Sequence, residues 1–218
     1  MAALDGLVQA GKIRYLGLSN TPAWLAAQAH TTALFRGWTP LIALQVEYSL
    51  LARTVEGELA PFARDQGLAL VPWSPLRNGF LSGKYRRGTQ VTDSARATRI
   101  PRPADSDYAV IDAVVAIAGE LATTPAAVSL AWLRARPGTV VPIIGARRLS
   151  HLTDNLAGLD VTLTPEHLRS LNELSAPTLG YPAPMHGSLR AMLQFAGTTV
   201  DGETSAVYPP LLESDVRY

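Results

Sequence analysis

Two arginines directly follow an apolar run in the stretch TVVPIIGARRLSHLTDN, residues 139 to 155. The run ends at Gly145, Arg147 and Arg148 come soon after, and a polar pattern typical of a helix begins. Backbone N–H groups at a helix start lack partners inside the helix, and the planar guanidinium fork of arginine matches phosphate oxygens. The stretch therefore indicates a phosphate-binding loop. A solvent-facing turn with ordinary surface arginines is the alternative interpretation.

Polar and aromatic residues also stand where other apolar runs end. Ser19 and Asn20 close the first run, Gln45 lies within the second, and Trp73 and Ser74 close the third. Amide and hydroxyl groups pair with an amide substituent, and an indole ring stacks on a planar ring. This set would suit a nicotinamide nucleotide lying across the ends of parallel strands. Ordinary loop polarity is the alternative for each residue, and for Gln45 a buried amide bonded to the backbone.

These residues depend on a repeated pattern of short apolar runs and helical segments. Short runs bounded by glycine and proline are typical of buried strands in a parallel sheet. Alternation with helices then indicates βαβ units, whose strand C-terminal ends form the binding face. The runs predict four parallel strands, near residues 14–18, 42–46, 69–73 and 140–144.

Four intervening segments carry helix signals. Residues 124 to 138 open with Thr-Pro, which caps a helix and fits its first turn, and close with Pro-Gly. Residues 106 to 122 place apolar side chains on one stripe. Helices are therefore predicted over residues 25–35, 56–67, 106–122 and 124–138.

Composition narrows the class of protein. A net charge of +1 gives no general reason to expect nucleic acid or a membrane surface as partner. The absence of cysteine excludes disulfides, thiolate nucleophiles and cysteine-based zinc sites. The N-terminus lacks the basic and apolar regions of a signal peptide, and no run is long enough for a transmembrane span. We expect a cytoplasmic protein with no metal site.

Two segments lack a periodic pattern. The basic stretch between Ser82 and Ser106 is predicted to be a mobile surface loop. The end of the chain is rich in proline and glycine and is expected to wrap over the domain or to be partly disordered. The predicted organisation is a domain over residues 1–176 and an extended, partly irregular C-terminal tail over 177–218.

Four stretches together are similar to a known family. GKIRYLGLSN, LQVEYSLLAR, GLALVPWSPLRNGFLSGKY and VVPIIGARRLSHLTDNL follow one another in the order of the aldo-keto reductase superfamily, and the resemblance covers residues 3 to 176. It implies an α/β fold of the (β/α)8 TIM-barrel type that binds NADPH across its strand ends and reduces carbonyl compounds. The four stretches resemble the C-terminal half of that barrel, strands five to eight. We therefore expect a partial barrel of about four parallel βα units.

The resemblance also implies roles for individual residues. Ser19, Asn20 and Gln45 resemble the set that binds the nicotinamide carboxamide, and Trp73 stands where an aromatic ring stacks on the nicotinamide. The loop that follows is similar to the one beside the pyrophosphate, and its matching residues are Ser74, Leu76, Gly79, Ser82 and Lys84. The second phosphate loop and the adenine side are represented by Gly145, Ala146, Arg147, His151, Asp154 and Asn155. His151 stands where many relatives carry glutamine.

The sequence departs from the family in its catalytic residues. The proton-donating tyrosine of the family and its aspartate, lysine and histidine partners come from the first half of the barrel. None of the seven tyrosines stands in that context, so no catalytic residue is assigned. Two interpretations stay open: an NADP(H)-dependent carbonyl reductase that needs the N-terminal half or a partner, and a non-catalytic NADP-binding or protein-interaction module. A half barrel also predicts a homo-oligomer or a complementary N-terminal half as partner.

Overall fold

The computed structural model describes residues 1–87, 104–185, 197–200, 203–207 and 209–213. The chain divides into two compact units, Met1–Pro177 and Thr178–Tyr218. The α-helices of the first unit are α1 (Ala2–Gln9), α2 (Ala23–Arg36), α3 (Leu59–Asp65), α4 (Asp105–Glu120), α5 (Pro125–Arg134), α6 (Leu149–Leu156) and α7 (Pro165–Leu174), and its 3-10 helices are Thr54–Glu56, Arg77–Ser82 and Ala157–Leu159. Its strands are β1 (Leu16–Ser19), β2 (Leu41–Glu47) and β3 (Ala69–Trp73).

The three strands form one parallel sheet in the order β1-β2-β3. Ser19 lies opposite Gln45, and Glu47 lies opposite Trp73, so the strands reach their C-terminal ends side by side. Each neighbouring pair is connected through a helix, α2 between β1 and β2 and α3 between β2 and β3. The α/β class and three of the predicted parallel strands are therefore confirmed.

The fourth predicted strand, residues 140–144, is wrong as a regular strand. This segment runs parallel to β3 but forms only a single bridge, between Leu70 and Val140. The amide of Ile143 donates to the carbonyl of Pro72 at 2.8 Å. The reciprocal bond is missing because Pro72 has no N–H to donate to this segment. The order of the segments is as predicted, and the described sheet has three strands and one attached extended segment.

One face of the sheet is buried and the other is more open. On β2, Leu44 and Val46 are 1% and 3% exposed, whereas Gln45 between them is exposed. Leu70 and Pro72 continue the buried row on β3. This alternation follows from the two-residue period of a strand. The core packs the buried row against helices whose main contributors are Ala63, Val110, Ile111, Val114, Ile117, Val128, Trp132, Leu133 and Leu171.

The four predicted helices are confirmed with shifted bounds: α2 is longer than predicted, and α3, α4 and α5 are shorter. The hydroxyl of Thr124 accepts a hydrogen bond from the amide of Ala127 at 3.1 Å, which caps α5 as the Thr-Pro pair predicts. Gly37 ends α2 with a φ of +65°, a backbone conformation that glycine adopts without strain. The regions α2, α3, α4 and α5 thus lie where the periodic pattern places them.

The described residues of the second unit include two short strands, a helical segment at 183–185 and a helical turn near the end of the chain. Thr199–Val200 (β4) pairs in antiparallel fashion with Glu203–Thr204 (β5), and Pro209–Leu212 forms a helical turn, α8. The predicted mobile loop falls largely on residues 88–103, which lie outside the described residues. In the part of the chain that the structure describes, no single helix is long and apolar enough to cross a membrane. Helices α4 and α5 would reach that length only as a pair bent by 100°.

Candidate functional site

The C-terminal ends of β1 and β2 bring three of the predicted residues together. Ser19 and Gln45 are register partners on adjacent strands, and both are exposed. Asn20 follows Ser19, and its amide donates to the carbonyl of Gln45 at 3.0 Å. The hydroxyl and the two carboxamides therefore lie side by side on one edge of the sheet.

Trp73 at the end of β3 joins this group through a direct hydrogen bond. Its indole Nε1 donates to Oδ1 of Asn20 at 2.9 Å, a contact that reaches across β2 between residues 53 positions apart. The Trp73 side chain is half-buried and Asn20 is exposed. We call Ser19, Asn20, Gln45 and Trp73 the strand-end cluster. It presents an indole ring and polar groups on the same edge.

The loop after β3 turns tightly on its own backbone. Ser74 and Asn78 both have positive φ, +53° and +57°. The hydroxyl of Ser74 accepts a bond from the amide of Asn78 at 3.3 Å, and the carbonyl of Leu76 accepts one from Gly79 at 2.9 Å. These bonds fold the loop back beside the end of β3, and they hold Ser74 and Asn78 in a left-handed conformation that costs free energy for residues other than glycine.

Gly79 makes room for Lys84 in this loop. Gly79 has a φ of +92°, and a Cβ placed there would lie 3.2 Å from Cε and 3.3 Å from Nζ of Lys84. The hydroxyl of Ser82 donates to the Gly79 carbonyl at 2.7 Å. The ammonium of Lys84 also lies 5.3 Å from the centre of the Tyr85 ring. Ser82, Gly79 and Lys84 are thus mutual neighbours, and Lys84 itself is exposed.

The second predicted phosphate loop follows the extended segment beside β3. Gly145, Ala146 and Arg147 are exposed, and no hydrogen-bond or ion-pair partner of the Arg147 side chain occurs among the described residues. Asn155 is different, since it is 6% exposed and its Nδ2 donates to the carbonyl of Gly145 at 3.4 Å. In this structure Asn155 therefore holds the loop in place. His151 on the same helix, α6, is exposed.

The sequence analysis did not predict an ion pair that lies next to the strand-end cluster. Arg77 in the loop after β3 pairs with Glu47 at the end of β2. Glu47 lies two positions after Gln45 on the same strand and opposite Trp73. The two-residue strand period, which places Gln45 and Glu47 on one face, is the signal that could have found the carboxylate. The strand period could not predict Arg77 as the partner of Glu47, because the conformation of the turn after β3 determines the direction of the Arg77 side chain.

A second set of polar side chains, which is largely buried, lies at the start of the loop after β2. The hydroxyl of Tyr48 donates to Oε1 of Glu56 at 2.7 Å, and the Arg53 guanidinium donates to both oxygens of that carboxylate at 2.8 Å. Arg53 also donates to the backbone carbonyl of Asn172 at 2.9 Å and to the hydroxyl of Ser175 at 2.7 Å. Burial, first, and the bond to Glu56 raise the pKa of Tyr48 far above its ordinary range. We call Tyr48, Arg53, Glu56 and their partners the Arg53 cluster.

Trp132 forms the floor of the Arg53 cluster. Its ring lies 5.1 Å from the guanidinium of Arg53 and 4.4 Å from that of Arg136, and its indole N–H donates to the Asn172 side chain at 3.0 Å. Burial lowers the pKa of Arg136. A cavity of about 310 Å³ borders this region, and none of the predicted site residues lines it. The lining consists of Tyr48, Glu56, Ala60, Pro61, Arg64, Leu70, Arg136 and Pro137.

Comparison with known proteins gives a family match over most of the chain. Residues 1–176 match the Aldo/keto reductase family. The chain is similar to an aryl-alcohol dehydrogenase [NADP(+)] of Phanerodontia chrysosporium, 30% identical over 197 residues, which are 86% of this chain and 50% of the relative. It is 32% identical to versiconal hemiacetal acetate reductase of Aspergillus parasiticus, over 84% of this chain and 54% of that protein.

Further relatives agree with this match. An uncharacterized oxidoreductase of Bacillus subtilis is 36% identical over 79% of this chain and 52% of its own length. The crystal structure of a thermostable aldo-keto reductase superposes with a TM-score of 0.60 at 28% identity, covering 79% of this chain and 53% of that one. The chain spans about half the length of the curated relatives it matches.

Proposed function

This chain belongs to the aldo/keto reductase family, and we propose that it binds NADP(H) for the reduction of a carbonyl substrate. The observation that carries the proposal is the strand-end cluster, in which Trp73 is hydrogen-bonded to Asn20 at 2.9 Å and Ser19 is the register partner of Gln45 at the same ends of the strands. A dinucleotide of this kind supplies a hydride when bound.

The chemistry of the cluster fits the nicotinamide end of such a cofactor. The hydroxyl of Ser19 and the carboxamide of Gln45 are exposed and have no side-chain partner among the described residues, so they are free to bond a ligand amide. The half-buried indole of Trp73 offers a flat apolar surface for a planar ring. Ser74, Leu76, Gly79, Ser82 and Lys84 are the residues we assign to the neighbouring phosphates.

Arg147 is assigned to the additional phosphate that distinguishes NADP(H) from NAD(H). Its guanidinium is exposed and has no partner in residues 1–87 or 104–185, and the loop that carries it is held by Asn155. Arginine binds phosphate with two parallel hydrogen bonds, which adds both energy and geometric selectivity. Gly145 and Ala146 would leave the backbone accessible to that phosphate. His151 and Asp154 on α6 are assigned to the adenosine.

Completion of the reaction requires an acid that protonates the alkoxide, and we propose that it comes from outside this chain. Tyr48, the tyrosine that follows β2, is buried and hydrogen-bonded to Glu56, so its proton is not available at the strand ends. We propose that the chain corresponds to the later strands of the barrel and acts with a complementary half. Val141 and Ile143, 54% and 43% exposed on the open face of the sheet, support a partner there.

A non-catalytic NADP-binding module is the second candidate function. It is favoured by the burial of Tyr48, because this tyrosine, which follows β2, has no proton available for a substrate at the strand ends. The two candidates differ in turnover and not in cofactor binding. NADPH oxidation with a panel of aromatic and aliphatic aldehydes, with and without a complementary first barrel half, separates them. Turnover that appears only with the added half supports the reductase, and binding without turnover in both cases supports the module.

Cofactor titration followed by tryptophan fluorescence tests the binding proposal itself. NADPH is expected to bind more tightly than NADH by about 1–3 kcal/mol, the range of one charge-assisted contact. Arg147→Ala should remove most of that preference and leave NADH affinity nearly unchanged. The matched control is Arg169→Ala, an exposed arginine on α7, which should not alter it. Equal affinity of the wild-type chain for both cofactors would contradict the assignment of Arg147.

A further inference from the structure

The contact between Asn20 and Trp73 has a fixed chemical direction. The indole N–H can only donate, so the atom of Asn20 that lies 2.9 Å away is the carboxamide oxygen. This contact therefore settles which end of the Asn20 amide faces the ring, a choice that is otherwise open for an asparagine. Nδ2 of Asn20 has no partner among the described residues.

The backbone of Asn20 is held independently of its side chain. Its φ is +50°, and its amide donates to the carbonyl of Gln45 on the neighbouring strand at 3.0 Å. Asparagine and glycine tolerate this left-handed conformation better than most residues. The acceptor oxygen is therefore presented from a fixed point, and Asn20→Gly removes it while leaving the backbone conformation accessible.

Trp73 needs such an anchor because its ring is not enclosed. The side chain is only half-buried, and the ring lies at the strand end rather than in the core. The carbonyl of Trp73 accepts a long bond from the amide of Tyr48 at 3.5 Å, which holds the backbone and leaves the indole torsions free. The bond to Asn20 is the polar contact that restricts them. Loss of that bond would let the ring sample other rotamers.

We propose that Asn20 is a positioning residue, which fixes the plane of the Trp73 indole so that a planar ligand ring finds a stacking surface already in place. The inference rests on the proposed function, since the planar ligand is the nicotinamide of NADP(H). It adds that Asn20 acts on cofactor affinity through Trp73. Preorganisation raises affinity because the ring loses less freedom when the ligand binds.

A double-mutant cycle with NADPH as the probe distinguishes action through Trp73 from direct contact. Asn20→Gly alone should raise the Kd for NADPH about 2- to 10-fold, the range of one neutral hydrogen bond. Trp73→Phe keeps an aromatic ring and removes the N–H donor. In that background Asn20→Gly should raise the Kd by a smaller factor, because the contribution that acts through the indole is already absent and only a direct contact of Asn20 with the carboxamide is left to lose. A full additional increase there would overturn the positioning role and assign Asn20 to direct ligand contact.

The indole itself supplies a readout in the absence of ligand. Trp73→Phe identifies the indole N–H resonance of Trp73 by NMR, and its hydrogen exchange is then compared between variants. Asn20→Asp retains an acceptor oxygen and should keep the slow exchange, whereas Asn20→Gly should accelerate it. Rapid exchange in the wild type, or equal exchange in both variants, would overturn the inference. Unfolding curves of all variants check that each is folded.

The outcomes of these experiments distinguish a failure of the positioning role of Asn20 from a failure of the proposed NADP(H) binding. If the wild-type chain does not bind NADPH, the proposed function fails and the role toward the cofactor fails with it. If NADPH binds and the indole is unprotected, or the two substitutions are additive, the positioning role alone is overturned. Slow indole exchange together with a non-additive cycle supports both.

Discussion

The strand-end cluster and the Arg53 cluster use similar polar groups to opposite effect. In the Arg53 cluster the polar side chains are hydrogen-bonded to one another. The Glu56 carboxylate accepts from Tyr48 and Arg53, and Arg53 also donates to Asn172 and Ser175. In the strand-end cluster Asn20 is bonded to Trp73, and Ser19 and Gln45 face solvent. The first arrangement joins segments far apart in the chain. The second leaves bonding capacity for a ligand.

The difference follows from burial. A buried charge without a partner costs several kcal/mol, and the Arg53 side chain, 7% exposed, makes four hydrogen bonds, to Glu56, Asn172 and Ser175. An exposed amide is satisfied by water and can exchange that water for a ligand at little cost. We therefore expect the closed polar groups to contribute stability and the open ones at the strand ends to remain available to a ligand. Four predictions test that contrast.

Arg53→Ala is expected to have the largest effect on stability. It removes the charged partner of the Glu56 carboxylate, which keeps only the Tyr48 hydroxyl as a donor, and it takes the Arg53 donor from the carbonyl of Asn172. The free energy of unfolding should therefore fall by about 3–5 kcal/mol. Urea denaturation measures the change. The matched control is Arg77→Ala, whose ion pair with Glu47 is about a third exposed on both sides, at 36% and 32%. The control should lose about 1 kcal/mol or less, and equal losses would break the contrast.

Tyr48→Phe is expected to have an intermediate effect. The lost hydroxyl costs about 1 kcal/mol near neutral pH, because Arg53 still donates to the same oxygen of Glu56. Thermal denaturation of the two proteins under one buffer condition checks this value. A loss as large as that of Arg53→Ala would show that the tyrosine, rather than the arginine, organises the cluster.

The same variant carries a pH signature. The folded-state pKa of Tyr48 is raised above its ordinary value of 10.0, so the folded protein holds this proton more tightly than the unfolded chain. The contribution is complete below about pH 10 and declines as the pH rises beyond it. The stability difference between wild type and Tyr48→Phe should therefore shrink at alkaline pH. A constant difference across that range would contradict the assignment of the shift to Tyr48.

Ser19→Ala and Gln45→Ala should have the smallest effects on stability, within about 0.5 kcal/mol. Both side chains are exposed, and neither has a side-chain partner in the described part of the chain. Each should nevertheless raise the Kd for NADPH about 2- to 10-fold, as expected for one lost hydrogen bond. Denaturation and cofactor titration on the same samples give the two numbers. A large stability loss without a change in Kd would reverse the proposed division of roles.

The elements were predictable where local pattern decides them. The Thr-Pro start of α5 and the alternation of Leu44, Gln45 and Val46 on β2 are local signals, and the structure follows both. The fourth strand failed because its regularity depends on a donor from another strand, and Pro72 has none. No pattern within residues 139–146 contains that information.

The site was predictable as a set of residues and much less so as a set of contacts. Sequence similarity indicated that Asn20 and Trp73 belong together, but the direct bond between them depends on the register of three strands. The assignment of Asn155 to the adenine side stays a prediction, and the observed bond of Asn155 joins helix α6 to the carbonyl of Gly145 in the preceding loop. The pair of Glu47 and Arg77 was missed because a turn with several positive φ angles directs the arginine.

Pro142 gives the outer edge of the sheet a selective surface. In the extended segment beside β3 the amides of Val141 and Ile143 point inward to the sheet, so alternate residues, including Pro142, present their backbone outward. Because proline has no backbone N–H, the outward-facing row of amide donors lacks one donor at Pro142. Unrelated extended chains that add to this edge would lose a bond at its centre, which disfavours aggregation through strand addition.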